Sequence, residues 1–183
     1  MGLAKSERHT VQEIRDLPEG VRMELIDGFF YDMASPTSTH QRIVLSLCRK
    51  IADYLEQKKA NCEVFVAPFA VFLHDDDYTY LEPDISVICD KDKVKEDGCH
   101  GAPDWVIEVV SDSTRKRDYL IKLSEYDSAG VREYWIADPT RNRVVCYLLN
   151  SETEKFELAE HSFSDTVTPW LYPDLTIDFS QMT

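Results

Sequence analysis

Apolar and polar positions along this 183-residue chain follow two rhythms. Between residues 40 and 57, Ile43, Leu47, Ile51, Tyr54 and Leu55 recur at three- and four-residue steps, which predicts a helix with one buried stripe. The same rhythm predicts a short helix over 10–17, stopped by Pro18, and a longer one over 115–129 with Gly130 as its C-cap. Elsewhere the runs are short and β-like. Residues 22–26 and 29–33 flank Asp27-Gly28, a pair that favours the tight hairpin turn. Ser/Thr residues between 35 and 39 supply helix caps. Runs over 63–67 and 69–73 are broken by Pro68, and an acidic turn follows at 74–77. Strands are expected around Asp84 and Glu108, joined by a charged, mobile loop over 90–103. A strand over 133–137 stops at Asp138-Pro139, an antiparallel pair occupies 143–149 and 155–161, and the tail beyond Trp170 adds a last short strand. Strands alternating with two long helices, then clustering at the end, predict an α/β or α+β fold: a mixed central sheet flanked by helices, with an extra N-terminal hairpin and C-terminal antiparallel strands.

The length suits one domain spanning residues 1–183. Composition is that of an ordinary globular protein, 43% apolar and 30% charged. Since no run of about 18 apolar residues occurs, nothing is expected to span a membrane. The N-terminal residues carry no apolar signal core, although Gly2 with Ser6 fits a short, common myristoylation pattern. Five scattered cysteines without a CxxC pair fit reduced thiols, and a cytoplasmic location is expected. Cys99-His100 lacks partners at zinc spacing and reads as loop or surface. The net charge of −14 cuts against a general affinity for nucleic acid, which is driven largely by phosphate neutralisation. Any such contact must be local, metal-bridged or assisted by a partner.

Two apolar runs each contain an acid. One is Tyr80-Leu-Glu82-Pro83-Asp84-Ile-Ser-Val-Ile88; the other is Asp104-Trp-Val-Ile-Glu108-Val-Val110. In the second, Val106, Glu108 and Val110 share one face, and Trp105, Ile107 and Val109 share the other. Both faces are apolar, so the strand is expected to be central and covered on both sides. A carboxylate there needs a metal or a buried ionic partner, and both readings stay open. Asp84 follows Pro83 at a strand start and either points into a cleft or caps a turn, with Glu82 as the solvent-facing neighbour. On the following helix Asp118, Lys122 and Tyr126 step by four, which lets the Lys122 ammonium reach the sheet or snorkel over apolar surface. Arg115, Lys116 and Arg117 place three cations in that helix's first turn, against the helix dipole. They suit a phosphate or pair with nearby acids such as Asp112, Asp118 or Asp104.

These segments, together with Pro103-Asp104, Ser111-Asp-Ser113-Thr114, Gly130-Val-Arg-Glu-Tyr134 and, nearer the start, Glu24-Leu-Ile-Asp27-Gly28 and Ser35-Pro36 with His40, resemble the Uma-two family of endonucleases over nearly the whole chain. The resemblance implies a restriction-endonuclease-like fold with a four-stranded mixed core sheet and a PD-(D/E)xK site. Carried over, Pro83-Asp84 is the PD and Glu108 the (D/E). Val110 holds the usual lysine position, and the lysine is expected on the next helix, as Lys122. Asp84 and Glu108 would hold Mg²⁺ or Mn²⁺, hard cations that prefer oxygen ligands. Lys122 would steady the attacking water or the phosphate by charge. Glu24, His40 and Tyr126 are candidates for accessory roles, with edge exposure of Glu24 and surface placement of His40 as the ordinary alternatives. The implied reaction is phosphodiester hydrolysis leaving a 5′-phosphate, on nucleic acid and in the first place DNA; cutting both strands points to a homodimer. Two rivals remain: a non-catalytic nucleic-acid- or protein-binding module that keeps the nuclease fold, and an enzyme acting on small phosphorylated substrates.

Overall fold

The computed structural model describes residues 8–182. The Gly2–Ser6 pattern lies outside them.

The first helix, α1 (Val11–Arg15), carries a capping box from Thr10 and Glu13. Strands β1 (Met23–Ile26) and β2 (Phe29–Asp32) form the expected hairpin. Its turn needs two left-handed residues, which Asp27 (φ 50°) and Gly28 (φ 81°) supply. Helix α2 (Ser38–Lys58) starts at Thr37, whose hydroxyl accepts the His40 N–H at 3.2 Å. Its buried stripe is Ile43, Val44, Leu47, Ile51 and Leu55.

The central sheet has six strands, extending the four-stranded core that the resemblance implied. In chain order they are β3 (Glu63–Val66), β5 (Ile85–Ile88), β8 (Trp105–Val109), β9 (Glu133–Asp138), β10 (Arg143–Asn150) and β11 (Lys155–Ser162), with β4 (Val71–Phe72), β6 (Val94–Lys95) and β7 (Gly98–His100) lying outside it. The spatial order is β11-β10-β9-β8-β5-β3. Only β8 and β9 are parallel; every other pairing in this sheet is antiparallel. A parallel neighbour requires a crossover, and the helical segment between β8 and β9 provides it.

Strand β8 is buried along its whole length, as its two apolar faces predicted. Trp105, Ile107 and Val109 join Ile43, Leu47, Ile51 and Trp135 on the α2 side. That layer is closed by the tail, where β12 (Thr166–Val167) pairs with β13 (Ile177–Asp178) and Phe179 packs near Trp135. Val106 and Val110 face the other way, with Tyr126, Tyr134 and Ile136. Buried Glu133 anchors the tail by accepting the Trp170 and Leu171 N–H groups, each at 3.0 Å.

Four expectations change. Residues 90–103 are an ordered element: a 3₁₀ turn (Lys91–Lys93) leads into β6 and β7, which join β4 in a three-stranded sheet. Cys99 is buried there, and a Cβ on Gly98 would meet the Ala70 carbonyl at 2.5 Å, so the loop packs closely. Cys62 and Cys89 form a disulfide in place of free thiols; the Glu63–Ile88 register sets them opposite each other, leaving Cys48, Cys99 and Cys146 free. Glu82 is buried instead of solvent-facing: it accepts the Tyr80 hydroxyl at 2.7 Å and pairs with Arg22. Finally, the helix over 115–129 is not uniform, because a π-helical turn (Arg117–Lys122) precedes α3 (Leu123–Ala129). As expected, Gly130 ends it in the left-handed conformation. Among the described residues no helix is long and apolar enough to cross a membrane.

Candidate active site at the end of the central strands

Three elements deliver carboxylates to one cleft of about 590 Å³. Glu108 is the next-to-last residue of β8, on the face that meets Lys122 and Tyr126. Asp84 sits just before β5, which pairs antiparallel with β8, so the two acids approach from neighbouring strands. The Asp84 N–H donates to Glu108 Oε2 at 3.4 Å, and Asp84 Oδ2 accepts the Val109 N–H at 2.8 Å. Glu24 comes from β1, which is held to the rest of the fold by reciprocal bonds between Leu25 and Tyr80 (2.9 and 2.7 Å). That docking buries Glu24 completely, where edge exposure had been the ordinary alternative.

Lys122 is the hub. Its Nζ lies 2.7 Å from Glu108 Oε1, 2.8 Å from Glu24 Oε1 and 3.7 Å from Asp118 Oδ1. Lys122 closes the π turn and Tyr126 follows one α-helical turn later, so the two share the face turned to the sheet. The Tyr126 hydroxyl donates to the same Glu108 Oε1 at 3.0 Å. His40, from the first turn of α2, sets Nε2 3.0 Å from Asp84 Oδ2 and is mostly buried, not a surface residue.

The cationic triplet divides. Arg115 is committed to Asp138 (2.7 Å) and Asp112 (2.7 Å). Arg117 donates to the Asp32 carbonyl at 3.1 Å and stands 3.6 Å from Glu24 Oε2 at the cleft wall. Lys116 is exposed. The nearby-acid reading therefore describes Arg115. Arg22 and Glu82 also line the cleft and went unnoticed as site residues. A period of two from Asp84 back to Glu82 was the available signal, since both fall on one face of an extended segment.

The electrostatics follow from counting. Glu24, Asp84, Glu108 and Asp118 face Lys122 and Arg117, so four carboxylates outnumber two permanent cations. Burial pushes the Glu108 carboxyl up, to about 8, and Asp84, Asp118 and Glu24 add to it while Lys122 opposes. Burial alone would lower Lys122, but Glu108, Glu24 and Asp118 outweigh it and hold the ammonium above its usual range. Burial likewise raises Asp118, against the pull of Lys122.

This donor set fits a hard divalent cation. Among the described residues, both side-chain bonds of Asp84 go to Oδ2, leaving Oδ1 without a donor, and Glu108 Oε2 receives only the long bond from Asp84. Buried Glu24 Oε2 has no hydrogen-bond partner among the described residues. No group of three His, Cys, Asp or Glu side chains there could enclose an ion alone. Mg²⁺ commonly takes one or two carboxylates and keeps several waters, so two acids at an open cleft suffice.

A mixed sheet with an acid on each of two adjacent strands and a lysine from the crossover helix defines a restriction-endonuclease-like protein. The chain belongs to the Uma2 family, whose model, described as "Putative restriction endonuclease", matches residues 11–180. It is similar to the crystal structure of a "putative nuclease belonging to DUF820" from Anabaena variabilis, with 21% identity, a TM-score of 0.74, and coverage of 94% of this chain and 96% of that one. That likeness establishes the fold. No curated protein matches the sequence.

Proposed function

We propose that the cleft is a metal-dependent endonuclease site that hydrolyses phosphodiester bonds in DNA. The observation that carries this reading is Glu108. It is a buried carboxylate clamped by Lys122 and Tyr126 on one oxygen, with the other turned toward Asp84 in an open cleft. Family membership and the description of the structural neighbour as a nuclease point the same way.

Asp84 and Glu108 would hold Mg²⁺ or Mn²⁺. Such an ion, when bound, polarises a phosphoryl oxygen and makes water a nucleophile at neutral pH. The chain's residues do the rest. Lys122 and Tyr126 fix the Glu108 rotamer, and the Lys122 charge favours negative charge building on the phosphate. His40 and the Val109 N–H hold Asp84 in place. Glu24 keeps Lys122 charged and aimed. A homodimer would supply the two sites that cutting a duplex needs. The surplus of internal partners around Lys122, together with the net charge of −14, favours the rival reading of a binding module that keeps the fold.

Supercoiled plasmid incubated with Mn²⁺ separates the two. The nuclease reading expects nicked and linear products, lost with chelator and reduced at least about 100-fold in Asp84→Ala. Cleavage by Asp84→Ala at the wild-type rate, or no cleavage of any nucleic acid, overturns it.

A further inference from the structure

An enzyme this acidic still has to hold a polyanion, and its cleft cations are already neutralised. Arg22, Arg117 and Lys122 all sit on carboxylates. The cleft mouth is different. Three exposed cations stand next in the chain to residues that line it and make no ion pair among the described residues: Arg42, Lys116 and Arg141. Each is the sequence neighbour of a lining residue, namely Gln41, Arg117 and Thr140.

One buried carboxylate organises two of them. Asp138 accepts Arg115 Nε at 2.7 Å through Oδ2, while its Oδ1 accepts both Arg115 NH2 and the Arg141 N–H, each at 3.1 Å. The helix start that bears Lys116 and the turn that bears Arg141 are thereby pinned to a single side chain on one rim. Arg42 is exposed on α2, about 100° round the helix from Gln41, in the residue after the turn that brings Thr39, His40 and Gln41 to the cleft.

We propose that Arg42, Lys116 and Arg141 form a two-sided rim that grips the phosphodiester backbone of duplex DNA across the cleft, independently of base sequence. This rests on the nuclease reading and adds to it the residues that hold the substrate. Phosphate contacts fix position without reading bases, and each one neutralised releases counterions. The rim supplies locally what the whole-molecule charge denies. Arg115 has no part in the grip; it is a positioning residue that sets the rim through Asp138.

The test is binding of a fluorescein-labelled 30-base-pair duplex in Ca²⁺, across a salt series, with plasmid cleavage in Mn²⁺ run in parallel. The rim triple variant is Arg42→Glu, Lys116→Glu and Arg141→Glu. The control triple, Lys59→Glu, Lys95→Glu and Lys155→Glu, changes three other exposed cations and reaches the same net charge. The rim variant is expected to lose about three units of the log–log salt slope and bind at least about tenfold more weakly, whatever the duplex sequence. The control should stay within about twofold of wild type, and thermal unfolding of both should match wild type. Equal weakening by both triples, or wild-type binding by the rim triple, overturns the rim while continued cleavage leaves the nuclease reading standing. Wild-type protein that neither binds nor cleaves overturns both.

Discussion

At the scale of single residues, the site is an arrangement of charges that cannot all be satisfied internally. Glu108 shows this best. Its carboxyl is raised from an ordinary 4.5 to about 8 by burial and three acidic neighbours. Between roughly those values the native state keeps a proton that the unfolded chain has released. The metal-free protein should therefore lose stability as pH rises through that window, on account of this group. Glu108→Gln cannot release the proton and should flatten the decline. Urea unfolding at pH 5, 6.5 and 8 checks this, and a wild-type curve that rises with pH relative to the variant's contradicts it. Lys122→Met removes the shared cation and leaves Glu24, Glu108 and Asp118 buried without it. Breaking a buried pair costs about 3–5 kcal/mol. Urea unfolding should show a loss of that order, and a loss under 1 kcal/mol would mean the three acids find other partners. Of these residues, Glu108 and Lys122 were legible in the sequence because an acid in a two-faced apolar strand and a lysine beside an apolar helical arc are local signals. Arg22 was not, since its pairing with Glu82 spans 60 residues, and Glu82 offered only its period of two from Asp84.

At the scale of elements, the hairpin and α2 act as brackets. The hairpin brings Glu24 to Lys122, and α2 brings His40 to Asp84. Both were readable: Asp27-Gly28 gives the turn, and apolar spacing gives the helix. The bracket on α2 depends on its cap. Thr37→Ala should cost about 1 kcal/mol and loosen the His40 turn. Amide hydrogen exchange at residues 38–41 should quicken, and unchanged protection there would show that the cap is dispensable. The π turn and the small β4-β7-β6 sheet escaped the sequence for a common reason. Each meets distant segments: the π turn ends on Lys122, which bonds Glu108, and the 90–103 loop packs on the Ala70 backbone. Charge content suggested a solvated loop, but Lys93 donates to the Ala102 carbonyl at 2.9 Å and Cys99 is buried. The Cys62–Cys89 link is of the same kind, set by strand register across 27 residues.

At the scale of the whole molecule, a net charge of −14 surrounds a cleft whose acids exceed its cations. Fold class was legible because alternating strands and helices admit few architectures. The sheet's six-strand extent was not, because β10 and β11 read equally well as a separate hairpin. The proposed Mn²⁺ site in that acidic cleft has a consequence for stability, because ligand that binds only the native state stabilises it. Mn²⁺ at 100 times its Kd should add about 2.7 kcal/mol, reversed by chelator. Asp84→Ala should lose most of that gain; an equal gain in the variant would place the ion elsewhere. The most direct measurement is anomalous diffraction from crystals soaked in Mn²⁺. The account predicts one strong peak about 2.0–2.2 Å from a carboxylate oxygen of Asp84 and another of Glu108. A peak bonded to neither acid, or none at saturating Mn²⁺ with Lys122 still closing the site, would contradict it.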